Sequence, residues 1–161
     1  SVKMMQFLDE QRMSRLYEKF ILEYYRKEHP EIHVSASQIP WALDDGMNFM
    51  LPTMQSDIML SSNEKTLIVD AKYYSRTTQV QYDVHTLHSG NLYQIFTYVK
   101  NKAEGGGDVS GMLLYAKTDE VILPDAVYQM SGNKISVRTL NLDCGFSEIA
   151  KQLDNIVDEH F

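Results

Sequence analysis

Apolar residues recur along the first thirty positions at the spacing of one helical face, through Leu16, Tyr17, Phe20, Ile21 and Tyr24. That spacing predicts a long amphipathic helix from Asp9 to His29, closed by Pro30. Ile32 to Ala36 alternates and reads as a strand, followed by a loop through Pro40-Trp41 and Asp44-Asp45-Gly46. Two apolar runs, Ile58 to Leu60 and Leu67 to Val69, flank the polar segment Ser61 to Lys65 and predict a β-hairpin folded about Asn63. From Tyr74 to His88 the chain is polar and irregular. Ser89-Gly90-Asn91 can then cap a second helix from Leu92 to about Lys102. Gly105-Gly106-Gly107 interrupts the chain before an apolar strand, Gly111 to Ala116. Val127 to Met130 and Ile135 to Leu140 flank Ser131-Gly132-Asn133-Lys134, a second hairpin pattern, and Phe146, Ile149, Leu153, Ile156 and Val157 mark a closing amphipathic helix. This order predicts an α/β fold, a three-layer sandwich with a central mixed β-sheet flanked by helices.

Composition adds bounds. At 161 residues, with 43% hydrophobic and 23% charged residues, the chain fits one globular domain with its own core. Nothing repeats and no low-complexity linker divides it. Its opening, Ser1-Val2-Lys3 running almost at once into a helical pattern, reads as a domain excised from a longer protein, the C-terminal part of a larger subunit. The single Cys144 excludes an internal disulfide and a cysteine-built zinc site, which suits a reducing cytosol. No apolar run approaches membrane-spanning length and the first residues do not form a signal peptide, so the expected location is the cytoplasm. The net charge of −7 argues against tight autonomous binding to nucleic acid, because such affinity rests on Lys and Arg neutralising phosphates. Any work on DNA would need bound metal ions, a local basic strip or a partner.

The chemistry concentrates at Asp70-Ala71-Lys72. Side chains alternate on a strand, so Asp70 and Lys72 share a side while Ala71 points away. Folding the hairpin about Asn63 places Asp57 opposite Val69 or Asp70, and directly opposed residues have Cβ atoms about 4.5–5.5 Å apart. Two carboxylates at that distance repel, and a divalent cation reverses the sign of their interaction. Hard oxygen ligands with room left for water and phosphate suit Mg²⁺, with Mn²⁺ as a substitute. The bland alternatives are a solvated ion pair for Asp70 and Lys72, and a strand-start residue for Asp57. On the second helix Gln94 and Tyr98 stand one turn apart on one face. Alone, that pair reads as an exposed glutamine and a core tyrosine with a wet hydroxyl.

Together these words resemble a known family. Asp57…Asp70-Ala71-Lys72 looks like the PD-(D/E)XK nuclease signature, and Gln94-x-x-x-Tyr98 resembles the QxxxY motif of its RecB-like branch. The neighbouring strings Gln55-Ser56-Asp57-Ile58 and Asn91-Leu92-Tyr93-Gln94 look most like the McrC family, the nuclease subunits of McrBC-type restriction systems specific for 5-methylcytosine. The resemblance spans roughly Arg12 to Ala116. It implies a restriction-endonuclease-like core and metal-dependent hydrolysis of DNA phosphodiesters. In that scheme Asp57, Asp70 and the backbone carbonyl of Ala71 coordinate Mg²⁺, Lys72 orients water and stabilises developing charge, and Gln94 and Tyr98 support them. The family also commonly draws an acid from its first helix, for which Glu18 is the candidate. Ser56 stands where the signature's name has proline. The resemblance further implies modified DNA as substrate, an AAA+ partner that hydrolyses GTP, a homodimer for cutting both strands, and a cytoplasm that is bacterial or archaeal. Two rivals stay open: a DNA-repair exonuclease or junction resolvase of the same fold, and a catalytically silent assembly module. His85 and His88 have no assigned role, Trp41 is expected to be a partly buried anchor, and the triple glycine lacks the Lys-Ser/Thr of a phosphate loop.

Overall fold

The β-branched and aliphatic runs of the middle of the chain pair into one six-stranded sheet, covered on both faces by three helices. The computed structural model describes residues 1–74, 78–81, 84–117 and 123–161, and for residues 78–81, 84 and 85 it describes the backbone. The elements are α1 (Val2–Glu28), β1 (His33–Ser35), β2 (Gln38–Ile39), β3 (Met54–Gln55), β4 (Ile58–Ser62), β5 (Lys65–Lys72), β6 (Thr78–Gln81), β7 (Val84–Leu87), α2 (Ser89–Ala103), β8 (Asp108–Ala116), β9 (Ala126–Met130), β10 (Asn133–Leu140) and α3 (Phe146–His160). The sheet order is β1-β4-β5-β8-β10-β9. β5, β8 and β10 run parallel at its centre, and the antiparallel pairs β1–β4, β4–β5 and β10–β9 complete the mixed sheet.

Alternation along β5 explains why an all-apolar run is needed. Leu67, Val69 and Ala71 point to one face, where Tyr17, Ile21 and Tyr25 of α1 and Leu153 and Ile156 of α3 close the core. Ile68 points to the other, against Ile95, Tyr98 and Val99 of α2. A strand buried on both faces reads as continuous hydrophobic sequence. The three-layer α/β expectation therefore holds. The two helices of the first layer are tied at their ends: Tyr24 Oη donates to Asp154 Oδ1 at 2.7 Å, His29 Nε2 meets the same oxygen at 2.7 Å, and Tyr25 Oη donates to the Leu153 carbonyl at 2.8 Å.

Several boundaries differ from the sequence reading. α1 starts at Val2 rather than Asp9, with the Ser1 side chain accepting from the Met4 amide at 3.2 Å. No residue before Tyr17 in α1 is buried, so the first turns carry no core stripe to read. Its last residue is Glu28 and His29 is the cap, one residue before Pro30, as expected when a proline disfavours helical geometry in the residue before it. Within the segment read as irregular, β6 and β7 pair antiparallel as a separate two-stranded ribbon. β2 and β3 form another, which the loop reading missed. α2 begins at Ser89, with His88 at the cap and no capping side chain, so Asn91 does not cap but lies buried in the first turn.

The approach of α2 to the sheet is set by Gly111 of β8. A Cβ placed there would come within 2.6 Å of Val99 Cγ2 and 2.8 Å of Ile95 Cγ1. Gly111→Ala is therefore expected to lower stability by about 1–3 kcal/mol through overpacking. Urea unfolding of the variant against the parent chain checks this, and an unchanged midpoint would mean that α2 is not seated by this contact.

Candidate active site

The β4–β5 register pairs Ile58 with Val69, so the next residues outward, Asp57 and Asp70, face each other on the α2 side of the sheet. This is the arrangement expected from the hairpin. Asp57 Oδ2 accepts the Ala71 amide at 3.0 Å, which fixes the carboxylate across the end of β5. On a strand the N–H and C=O of one residue point to the same side, so the Ala71 carbonyl faces the same edge as Asp57. Asp70 is 2% exposed, and its Oδ2 has no hydrogen-bond partner. Lys72 Nζ forms an ion pair with that oxygen at 3.3 Å.

Lys72 instead donates to Gln94 Oε1 at 2.9 Å, and Gln94 Nε2 donates to Tyr98 Oη at 3.0 Å. A side-chain amide can face either way, and here Tyr98 accepts from its NH₂ end so that its carbonyl end serves the lysine. The four residues read from the two motifs thus form one chain of contacts, Asp70–Lys72–Gln94–Tyr98, from β5 to α2. Tyr98 is both buried in the core and bonded through its hydroxyl, so the two readings of that residue are true together.

Electrostatics in the site follow from burial. Desolvation pushes the Asp57 carboxyl well above its usual range, and a shared hydrogen bond with Asp70 and repulsion from it push further, against the lowering effect of the Ala71 amide. Burial alone would lower the Lys72 pKa, but the charge of Asp70, with Tyr74 and Asp57, outweighs it and the ammonium is held protonated. Glu18 is half-buried on α1, and its carboxyl is raised by desolvation, lowered by Lys72 and raised by Asp70. It therefore lies within electrostatic reach of the site.

Among the described residues no group of three or more His, Cys, Asp and Glu side chains is gathered as a metal cage. A cation would rest on Asp57, Asp70 and the Ala71 carbonyl, with water and phosphate filling its other positions, a donor set suited to Mg²⁺. Two carboxylates brought together at the end of β5, with Asp70 Oδ2 facing only the Lys72 ammonium, are what such a site needs, so the residues fit the ion.

Ser56 has a structural reason. Its amide donates to the Ser37 carbonyl at 3.0 Å, and its buried hydroxyl donates to that same carbonyl at 2.9 Å while accepting the Ser37 amide at 3.1 Å. Proline has neither donor, so serine supplies here a tie that proline cannot. Sequence reasoning missed Asn91, Tyr74 and Tyr115. Tyr74 Oη donates to Asn91 Oδ1 at 3.3 Å and Asn91 Nδ2 to Tyr115 Oη at 3.1 Å. The available signal was Asn91 three residues before Gln94, on the same helical stripe. His88 packs its ring against Tyr74 at 5.2 Å, while the side chain of His85 lies outside the described residues. Trp41 is half-buried and donates through Nε1 to the Pro52 carbonyl at 2.7 Å, the anchor expected of it.

Residues 11–116 match the model of a family described as McrBC 5-methylcytosine restriction system component. That span contains Glu18, Asp57, Asp70, Lys72, Gln94 and Tyr98. Over 156 residues the chain is 35% identical to the Type IV methyl-directed restriction enzyme EcoKMcrBC of Escherichia coli (strain K12), a match covering 94% of this chain and 44% of the relative. The chain therefore spans less than half the length of that relative.

The raised Asp57 carboxyl carries a cost that can be measured. A carboxyl whose folded pKa exceeds its unfolded value holds its proton more tightly when folded, so stability falls as pH rises from the unfolded value through the folded one. Asp57→Asn removes that loss and keeps an oxygen for the Ala71 amide. In metal-free buffer it is expected to raise stability at pH 8 by about 1 kcal/mol, with the gain vanishing near pH 4. Thermal unfolding across that range checks the sign.

Proposed function

The chain belongs to the McrBC 5-methylcytosine restriction system component family, and from that membership we propose that it is a metal-dependent endonuclease domain that hydrolyses DNA phosphodiesters. The observation that carries the reading is the opposed pair Asp57 and Asp70 beside the Lys72–Gln94–Tyr98 chain, with the buried Asp70 paired to Lys72. A structural ion pair needs one acid for its lysine, and here a second acid is buried against the first.

Asp57, Asp70 and the Ala71 carbonyl hold Mg²⁺, with Mn²⁺ able to substitute. Bound there, the ion supplies Lewis acidity toward a phosphoryl oxygen and lowers the pKa of water. The protein's own groups do the rest. The acidic neighbours of Lys72 raise its pKa and favour the ammonium, which makes it a donor in this reading. It donates to Gln94 and stands 3.3 Å from Asp70 Oδ2, where its charge stabilises negative charge that grows on the phosphate in the transition state. Gln94 sets the direction of the ammonium; the ammonium, a donor only, turns the Gln94 carbonyl toward itself, and Tyr98 Oη accepts from the other end of the amide. Glu18, at the rim, adds negative charge that favours cation binding.

The net charge of −7 fits a subunit that does not hold DNA by itself. DNA carrying a modification of the 5-methylcytosine type is the substrate, brought to the site by an AAA+ partner that hydrolyses GTP, and two copies of the chain act together to cut both strands. The expected location is the cytoplasm. Among the described residues no helix is long and apolar enough to cross a membrane.

The test is DNA cleavage by the chain alone and with its AAA+ partner and GTP, in Mg²⁺, Mn²⁺ and chelator. Asp70→Ala and Lys72→Ala are expected to reduce cutting by about 10²–10³-fold or more. Calorimetry should show Mn²⁺ binding by the parent chain and not by Asp70→Ala. Cutting without any partner would favour an exonuclease or resolvase of the same fold. Absence of both cutting and metal binding would leave an assembly module.

A further inference from the structure

The polar stripe of α2 continues beyond the motif that names it. Asn91, Gln94 and Tyr98 lie at i, i+3 and i+7, one face of the helix, and all three turn toward the sheet. Gln94 reaches β5 through Lys72. Asn91 reaches the neighbouring strand, β8, through Tyr115. In the parallel ladder Lys72 and Tyr115 are register partners, side by side on strands about 4.8 Å apart. The helix is therefore fastened to two adjacent strands by two hydrogen bonds one turn apart, one to the lysine and one to its neighbour Tyr115.

One fastening fixes a point on a helix and leaves it free to rotate or slide about that point. Two fix its height and rotation together. The ring of Tyr115 is fully buried, so it holds its place, and Asn91 is 8% exposed with both ends of its amide used, by Tyr74 and by Tyr115. A buried side chain whose amide is bonded at both ends is held in place from two sides, whichever way the amide faces. We propose that the Asn91–Tyr115 hydrogen bond positions α2 so that the Gln94 carbonyl meets the Lys72 ammonium, making Asn91 and Tyr115 positioning residues for the cleavage reaction. The proposal deepens the nuclease reading and rests on it for its catalytic consequence, while its structural content stands by itself.

Tyr115→Phe isolates the bond, since it removes one oxygen and keeps the ring. In the complex with the AAA+ partner, at a temperature where both proteins are folded, kcat for DNA cleavage should fall about 10-fold, with KM for DNA close to the parent's. The effect acts through Gln94, so Tyr115→Phe in a Gln94→Ala background should cost almost nothing more. Asn91→Ala should reproduce Tyr115→Phe, and the two together should cost no more than either. A role in general stability would instead act undiminished in the Gln94→Ala background, and that outcome overturns the proposal, as does parental activity in Tyr115→Phe.

A second measurement needs no activity. In the ¹⁵N-labelled chain without metal, the Lys72 ammonium is expected to exchange its protons with water several-fold faster in Tyr115→Phe than in the parent. If the parent complex cuts no DNA while this exchange still changes, the nuclease reading falls and the positioning stands. Unchanged exchange overturns the positioning whatever the activity.

Discussion

The pairing of Ile58 with Val69 is the constraint on which the rest of the site depends. Strand side chains alternate, so slipping this hairpin by one residue would turn Asp57 away from Asp70 and move the apolar set of β4 to the wrong face. The register is held from both ends. Asn63 at the turn takes a positive φ of 55°, a conformation that asparagine tolerates better than most side chains. At the open end, Asp57 accepts the Ala71 amide and Ser56 binds Ser37 on both its amide and its hydroxyl. The core also opposes a slip, because Ile58 and Leu60 would have to leave the layer of α1 and α3.

Placing two acids and a lysine at the end of a buried strand works against folding. Carboxylates lose hydration there and repel each other, and the Asp70 oxygen without a partner loses a hydrogen bond it would have in water. The surrounding structure offsets this with an apolar sheet closed on both faces and with helices tied by Tyr24, Tyr25 and His29 far from the acids. The strain of the site and the stability of the domain therefore sit in different places, which is the usual arrangement where function requires an unfavourable local environment.

α2 has two tasks that share its turns. Ile95 and Val99 seat it on the sheet at Gly111, where the absence of a side chain allows the close approach. Asn91, Gln94 and Tyr98 carry the polar contacts along the adjoining stripe. Seating distance and polar alignment are thus coupled: a helix held further from β8 would carry Gln94 away from Lys72. α1 contributes differently, bringing Glu18 to the rim while Tyr17 fastens its middle by donating to the Leu114 carbonyl at 3.1 Å.

The sequence by itself determined the layers and the motif residues, because both depend on local periodicity. The apolar alternation of β4, β5 and β8 and the helical stripes of α1, α2 and α3 are short-range patterns, and Asp57, Asp70, Lys72, Gln94 and Tyr98 follow from them by hairpin register and helical spacing. Resemblance to a family then bound those separate words into one site. Tertiary structure alone decided what depends on distant partners. It made Asn91 a buried bridge to Tyr115 although its neighbourhood reads as a helix cap, because the nearest acceptor lies on a strand 24 residues away. It paired β2 with β3 and β6 with β7, whose few residues carry too little pattern to separate from loop. It brought Glu18 of α1 within electrostatic reach of Asp70 and Lys72, since the reach of a helix side chain is set by how the helix packs and not by its own sequence. Local chemistry is written in neighbouring residues, whereas contacts across the fold exist only once the layers have closed.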